Sequence, residues 1–258
     1  MKGVNTWVLS RVGDATLVAS FEQRIDPLVN DAVLQVAASM RDERYIGVRD
    51  VVESYCAVTA HFDPLRTNVQ AVAESFERSI ARVCTARETP AVDESPRGPA
   101  VASHRLGDRP PRLHTVPVCY GDGYGADLDE VAVLVGLTPD EVVRRHVAVT
   151  YRVYMLGFLP GFAYMGSLSA ELAVDRRRTP RLHVPAGSVG VAGRQTGIYP
   201  MAAPGGWQLI GRTPLRPFSP ARAEAFLFQA GDRVRFEPID AARFDALETA
   251  ERGGEHHG

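Results

Sequence analysis

The residues best suited to chemistry gather on turns between positions 157 and 214. The first group is Gly157-Phe158-Leu159-Pro160-Gly161-Phe162-Ala163-Tyr164-Met165. Its Pro-Gly pair predicts a type II turn, and the rings of Phe158, Phe162 and Tyr164 beside it make a rigid, partly apolar wall for a ligand or partner. The same residues also fit a hairpin with an ordinary core. The second group is Arg176-Arg177-Arg178-Thr179-Pro180-Arg181, whose guanidinium forks suit a phosphate or carboxylate. A solvated face is the usual fate of such a run, yet these arginines lie between turn signals and not on a helix.

Two further groups, Gln195-Thr196-Gly197-Ile198-Tyr199-Pro200 and Pro204-Gly205-Gly206-Trp207, place amide, hydroxyl, phenol and indole groups on turns. There they either converge on a polar ligand or form the rim of a barrel. His146, near a helix end, reads as a general base or, more commonly, as a partner of the helix dipole. Val184-Pro185-Ala186-Gly187-Ser188 lacks the first glycine of a nucleophile elbow. Gly121-Asp122-Gly123-Tyr124-Gly125 lacks dinucleotide spacing, so both read as loops.

Lysine usage excludes more than any motif. Lys2 is the only lysine among 258 residues. A phosphate-loop lysine, a kinase strand lysine, a Schiff base, a biotin attachment site and the Ser-Ser-Lys arrangement of amidases all need one inside a fold. ATP must therefore be bound without lysine, or by another protein of the same assembly. The three cysteines, Cys56, Cys84 and Cys119, are far apart, so neither disulfides nor a zinc site is expected. A net charge of -2 with mixed signs argues against nucleic acid and anionic lipid as partners. The first ten residues lack the regions of a signal peptide and no long apolar run occurs, so the expected location is the cytoplasm.

These groups need elements to position them. Strand-like runs at Trp7 to Arg11 and Thr16 to Phe21 precede a helix announced by Asp26 and Pro27. Leu28, Val29, Ala32, Val33, Val36, Ala37 and Met40 give that helix its apolar face, and Gly47 ends the unit. Strands at Val48 to Tyr55 and Ala57 to Phe62 and a helix from about Thr67 complete a small α/β sandwich of split βαβ type. From Ala86 to Arg112 prolines and glycines interrupt all periodicity. A strand at Leu113 to Tyr120 and two helical pieces follow, the second with Thr138, Pro139 and Glu141 as a capping box. From Tyr151 to Pro238 short strands and turns predict a closed or nearly closed β sheet. The expected class is α+β, with an N-terminal domain over 1–86, a linker over 87–112, a β-barrel domain over 113–240 and a polar tail over 241–258.

The runs from Gly157 to Pro214, above all Gly-Phe-Leu-Pro-Gly-Phe-Ala-Tyr, Thr-Pro-Arg-Leu-His-Val-Pro-Ala-Gly-Ser-Val, Gln-Thr-Gly-Ile-Tyr-Pro and Pro-Gly-Gly-Trp-Gln-Leu-Ile-Gly-Arg-Thr-Pro, resemble the family of 5-oxoprolinase B subunits. Its members are also labelled allophanate hydrolase subunit 1 or KipI-type kinase inhibitors. The resemblance spans roughly Asp14 to Pro238. It implies a cyclophilin-like barrel and a carboxyltransferase-like pairing with the C subunit of 5-oxoprolinase. With the A subunit as well, that assembly opens 5-oxo-L-proline to L-glutamate using ATP with magnesium. The alternative it leaves is a regulator that blocks a sensor histidine kinase. By motif match it implies Arg177, Arg178 and Arg181 for anions, Gln195, Thr196 and Tyr199 for polar orientation, and Phe158, Phe162, Tyr164 and Trp207 as the wall. His146 is a further candidate for proton transfer. Arg176 stands where the family pattern has proline, and Ala126 and Ala192-Gly193-Arg194 also depart from it.

Overall fold

The computed structural model describes residues 6–88, 110–121 and 123–254. Most of the segment read as a Pro-rich linker, 89–109, lies outside the described residues, as do Lys2 and the His256-His257 pair. The chain divides into two compact units, Met1–Pro110 and Pro111–Gly258.

In the first unit, β1 (Val8–Arg11), β2 (Thr16–Ser20), β3 (Val48–Glu53) and β4 (Ala57–Phe62) form one antiparallel sheet in the order β1-β2-β4-β3. The strands β2 and β3 run the same way with β4 between them, which is the split βαβ arrangement expected. Between β2 and β3 lies α1 (Pro27–Asp42), and α2 (Val69–Glu88) follows β4. Asp26 starts α1 by accepting the N–H groups of Leu28 at 2.8 Å and Val29 at 3.3 Å. The apolar face of α1 packs with Val72, Phe76 and Ile80 of α2 over Leu17, Ala19, Val51, Val58, Ala60 and Phe62. Leu28 is the exception, 62% exposed, because the first turn points its side chain away from the sheet.

The second unit is a closed barrel of seven strands in the order β10-β7-β6-β13-β5-β12-β9. These are β5 (Leu113–Tyr120), β6 (Thr150–Leu156), β7 (Ala163–Gly166), β9 (Ser188–Ala192), β10 (Gln195–Ile198), β12 (Gln208–Arg212) and β13 (Arg233–Ile239). The ring closes through β5, earlier than the expected start at Tyr151, because β5 pairs in parallel with β13 over Leu113 to Cys119. Alternation along each strand sends Val116, Val118, Met165, Val189, Val191, Ile198, Ile210 and Val234 inward to one core. A separate two-stranded ribbon joins β8 (Arg181–Val184) to β11 (Ala203–Gly205).

Helices α3 (Leu128–Val135) and α4 (Pro139–Val147) lie between β5 and β6. Half of the capping box forms: Thr138 Oγ1 accepts the Glu141 N–H at 3.2 Å, but the Glu141 carboxylate turns to Arg144 and Arg145 instead of back to Thr138. The segment read as a polar tail is largely helical. Its helix α5 (Ala241–Gly254) is anchored by Phe244, which is 1% exposed and packs against Tyr124 and the Arg212 guanidinium.

Candidate functional site

The Pro-Gly turn forms as expected, since Phe162 N donates to Leu159 O at 3.0 Å and Gly161 takes a φ of +83°. Just before it, Leu159 N donates to Gly157 O at 2.8 Å across Phe158, whose φ is +68°. This is a γ-turn of the rare, strained sense. Holding a phenylalanine there costs about 1–3 kcal/mol. It leaves the Phe158 ring 60% exposed and edge-on to Phe162 at 5.6 Å and to Tyr199 at 6.5 Å.

Residues in or just beyond β7, β9, β10 and β12, with Val184 of β8, build a second apolar cluster on the barrel's outer face. Its members are Phe162, Ala192, Tyr199, Trp207 and Leu209, with Tyr164 at the margin. The floor is two paired glycines, Gly190 and Gly197. A Cβ on Gly197 would lie 3.1 Å from Trp207 Cζ3 and 3.2 Å from Phe162 Cζ, and one on Gly190 would lie 3.1 Å from Trp207 Cβ. Glycine is thus what lets the two rings settle on the sheet at 5.5 Å in a T-shaped contact. Of the four rings read as a wall, Phe162 and Trp207 are buried, Tyr164 is half-buried and only Phe158 is broadly exposed, while Tyr199, read for polar orientation, is buried among them.

The arginine run divides by role. Arg177 Nη1 pairs with Asp127 Oδ1 at 3.0 Å and Glu130 Oε2 at 3.0 Å, while Arg181 Nη2 makes a close pair with the same Asp127 oxygen. Asp127 is 2% exposed, and its other oxygen accepts the Leu209 N–H at 2.6 Å. With its oxygens turned to these partners, the side chain makes no cap bond at the start of α3. The approach of this segment to β12 needs Gly125, where a Cβ would lie 2.2 Å from Ile210 O. The sequence reading missed Asp127; its only signal was an acid directly after a glycine-rich turn.

Arg178 is exposed and makes no ion pair with the described residues. Arg176 differs again: its guanidinium carbon lies 5.9 Å over the Trp207 ring. Burial pushes the Tyr164 and Tyr199 phenols up, and the charge of Arg176 pulls both back.

Thr196 and His146 do not belong to this face. His146 projects from α4 into the barrel interior, 0% exposed, stacked on Phe236 at 4.6 Å. Thr196 Oγ1 donates to Gly190 O at 3.1 Å, so it receives the proton of His146 Nε2 at 3.0 Å. His146 Nδ1 is then the acceptor for the Tyr120 hydroxyl at 2.9 Å. Burial pushes the imidazole down to about 3. A neutral histidine with both nitrogens occupied in the core is neither a solvent-facing base nor a charged dipole partner, which corrects both readings. Gln195, half-buried, alternates outward from Thr196.

Among the described residues no three His, Cys, Asp or Glu side chains gather as a metal site, and no helix is long and apolar enough to cross a membrane.

Residues 7–228 match the family model of the carboxyltransferase domain, subdomain C and D. The chain is 36% identical, over 92% of its own length and 95% of the relative's, to a Bacillus subtilis (strain 168) protein named as the B subunit of 5-oxoprolinase. The solved structure of TTHA0988 superposes with a TM-score of 0.70 at 30% identity, covering 88% of this chain and 40% of that one. Kluyveromyces lactis urea carboxylase shares the fold, with a TM-score of 0.74 at 15% identity over 96% of this chain and 23% of that one.

Proposed function

The chain belongs to the family of 5-oxoprolinase B subunits within the carboxyltransferase-domain proteins, and from that premise we propose that it serves as the B subunit of an ATP-dependent 5-oxoprolinase. It acts with a carboxyltransferase-like C subunit and with the A subunit, and is inactive alone. The observation that carries this reading is the end-to-end likeness to a relative of that name, over 92% of this chain and 95% of that one.

The chemistry is demanding because a lactam amide is a poor electrophile. Phosphoryl transfer from ATP to the lactam oxygen gives an activated ring and ADP. Water then adds at the activated carbon, the C–N bond breaks to give the free amine and an acyl phosphate, and a second water displaces phosphate to leave the glutamate carboxylate. The outer face of the barrel suits the binding part of this work, because it combines aromatic surface with arginines and turn N–H groups. No lysine lies among the described residues, so phosphate oxygens would be met by arginine or backbone donors. Magnesium enters as the companion of ATP, carried largely by phosphate oxygens and water.

The test is reconstitution. Purified A, B and C subunits, ATP and 5-oxo-L-proline are expected to yield glutamate, and leaving out this chain is expected to abolish it. Equal glutamate formation without the chain would overturn the assignment.

A further inference from the structure

We propose that Arg176, Arg181 and Tyr199 form a carboxylate-binding subsite on the outer face of the barrel, with the exposed Phe158 ring beside it to receive a small planar ring. The proposal deepens the oxoprolinase reading and rests on it for the ligand named below.

The first observation is an unmatched cation. Arg177 and Arg181 share Asp127, whereas Arg176 makes no ion pair with the described residues and rests on the Trp207 ring. A guanidinium parked on an indole keeps its forked donors free.

The second is an orphaned donor. Arg181 Nη2 pairs with Asp127, but Arg181 Nη1 is buried and has no hydrogen-bond partner. Buried charged donors without acceptors are rare in folded proteins, and a ligand oxygen is one of the few things that explains them.

The ribbon then supplies the third donor. Arg181 in β8 pairs directly with Gly205 in β11. A Cβ on Gly205 would lie 2.3 Å from the Tyr199 hydroxyl oxygen, so the missing side chain brings the phenol against the ribbon beside Arg181. The Tyr199 hydroxyl carries a proton that it can donate to a ligand oxygen. The Arg177 N–H donates to Gly206 O at 2.7 Å, which brings the chain at Arg176 beside the same end of the ribbon.

One carboxylate oxygen would take Arg181 Nη1 and the Tyr199 O–H, and Arg176 would swing from the indole to the other oxygen. Nothing is bonded or broken, so the subsite binds and orients.

The test uses the full-length chain carrying Trp7→Phe, which leaves Trp207 as its only indole. Its emission is followed, with calorimetry in parallel, during titration with 5-oxo-L-proline, the uncharged 5-oxoprolinamide, and ATP. The acid is expected to give a saturable change. The amide, and the acid on Arg176→Gln or Tyr199→Phe, are each expected to bind about tenfold more weakly or worse. Binding of the amide as tight as the acid, an unchanged affinity in Arg176→Gln, or a Trp207 response to ATP alone would overturn the subsite. The two proposals separate cleanly. If 2-furoate binds with the same dependence on Arg176 and 5-oxo-L-proline does not, the subsite stands and the oxoprolinase reading falls. If the reconstituted enzyme turns over with an unchanged KM in Arg176→Gln, the enzyme reading stands and the subsite falls.

Discussion

At Asp127 one buried carboxylate holds two arginines and the Leu209 amide, so its removal strands the Arg181 guanidinium and an N–H at once and leaves Arg177 with Glu130 alone as ion-pair partner. Breaking a buried ion pair from one side costs about 3–5 kcal/mol. We expect Asp127→Ala to lose stability of that order, while Arg178→Ala, exposed and without an ion pair among the described residues, stays within about 0.5 kcal/mol; urea unfolding of both variants decides. His146 makes a prediction in pH. Its ordinary value is 6.5 and its value in the fold is about 3, so between those limits the unfolded chain binds the proton more readily. The stability given by the neutral imidazole is complete above 6.5 and is lost as the pH falls toward 3. Unfolding free energies from urea titrations between about pH 6 and pH 4.5 are expected to carry a contribution approaching 1.4 kcal/mol per pH unit from this group. His146→Gln is expected to lack it. A histidine at the end of a short helix gave no hint of this in sequence, because its burial depends on a barrel assembled from strands on either side of it in the chain.

Among the elements, those with a strong local rule were readable and those held by a single contact were not. Asp26 and Pro27 announced α1, and the Pro-Gly pair announced its turn, because cap and turn geometry depend on a few adjacent residues. In contrast, over 241–251 of α5 the one deeply buried side chain is Phe244, and one anchor makes no periodicity to read. Phe244→Ala is expected to cost about 3–5 kcal/mol, and thermal unfolding with far-ultraviolet dichroism would register both the loss and the melting of α5. The glycine floor was likewise hidden, since Gly190 and Gly197 look like turn residues until β9 and β10 are paired. Gly197→Ala is expected to destabilise by about 1–3 kcal/mol. It should also shift Trp207 emission, because the new methyl meets the Ala163 carbonyl at 3.0 Å and the indole at 3.1 Å.

For the whole molecule, the two units have separate apolar cores, one between sheet and helices and one inside the barrel. The fragment 111–258 is therefore expected to fold alone, and a near-ultraviolet dichroism signal from Trp207 equal to that of the full chain would verify it; a featureless spectrum would refute it. The α+β class was legible because each unit repeats its own period, 3.6 in the first unit's helices and 2 in the barrel strands. Barrel closure was expected too, but the strand pair that closes it was not, since nothing in β5 alone announces a parallel partner. That pairing sets a timetable for synthesis. Leu113 leaves the ribosome long before Arg233, the residue it lies beside, has been made. Until then β5 and β6 each present an unpaired edge, open to strands of another nascent chain. Closure is thus among the last acts of folding, and a message truncated before Arg233 would release a sheet with two adhesive edges instead of a barrel.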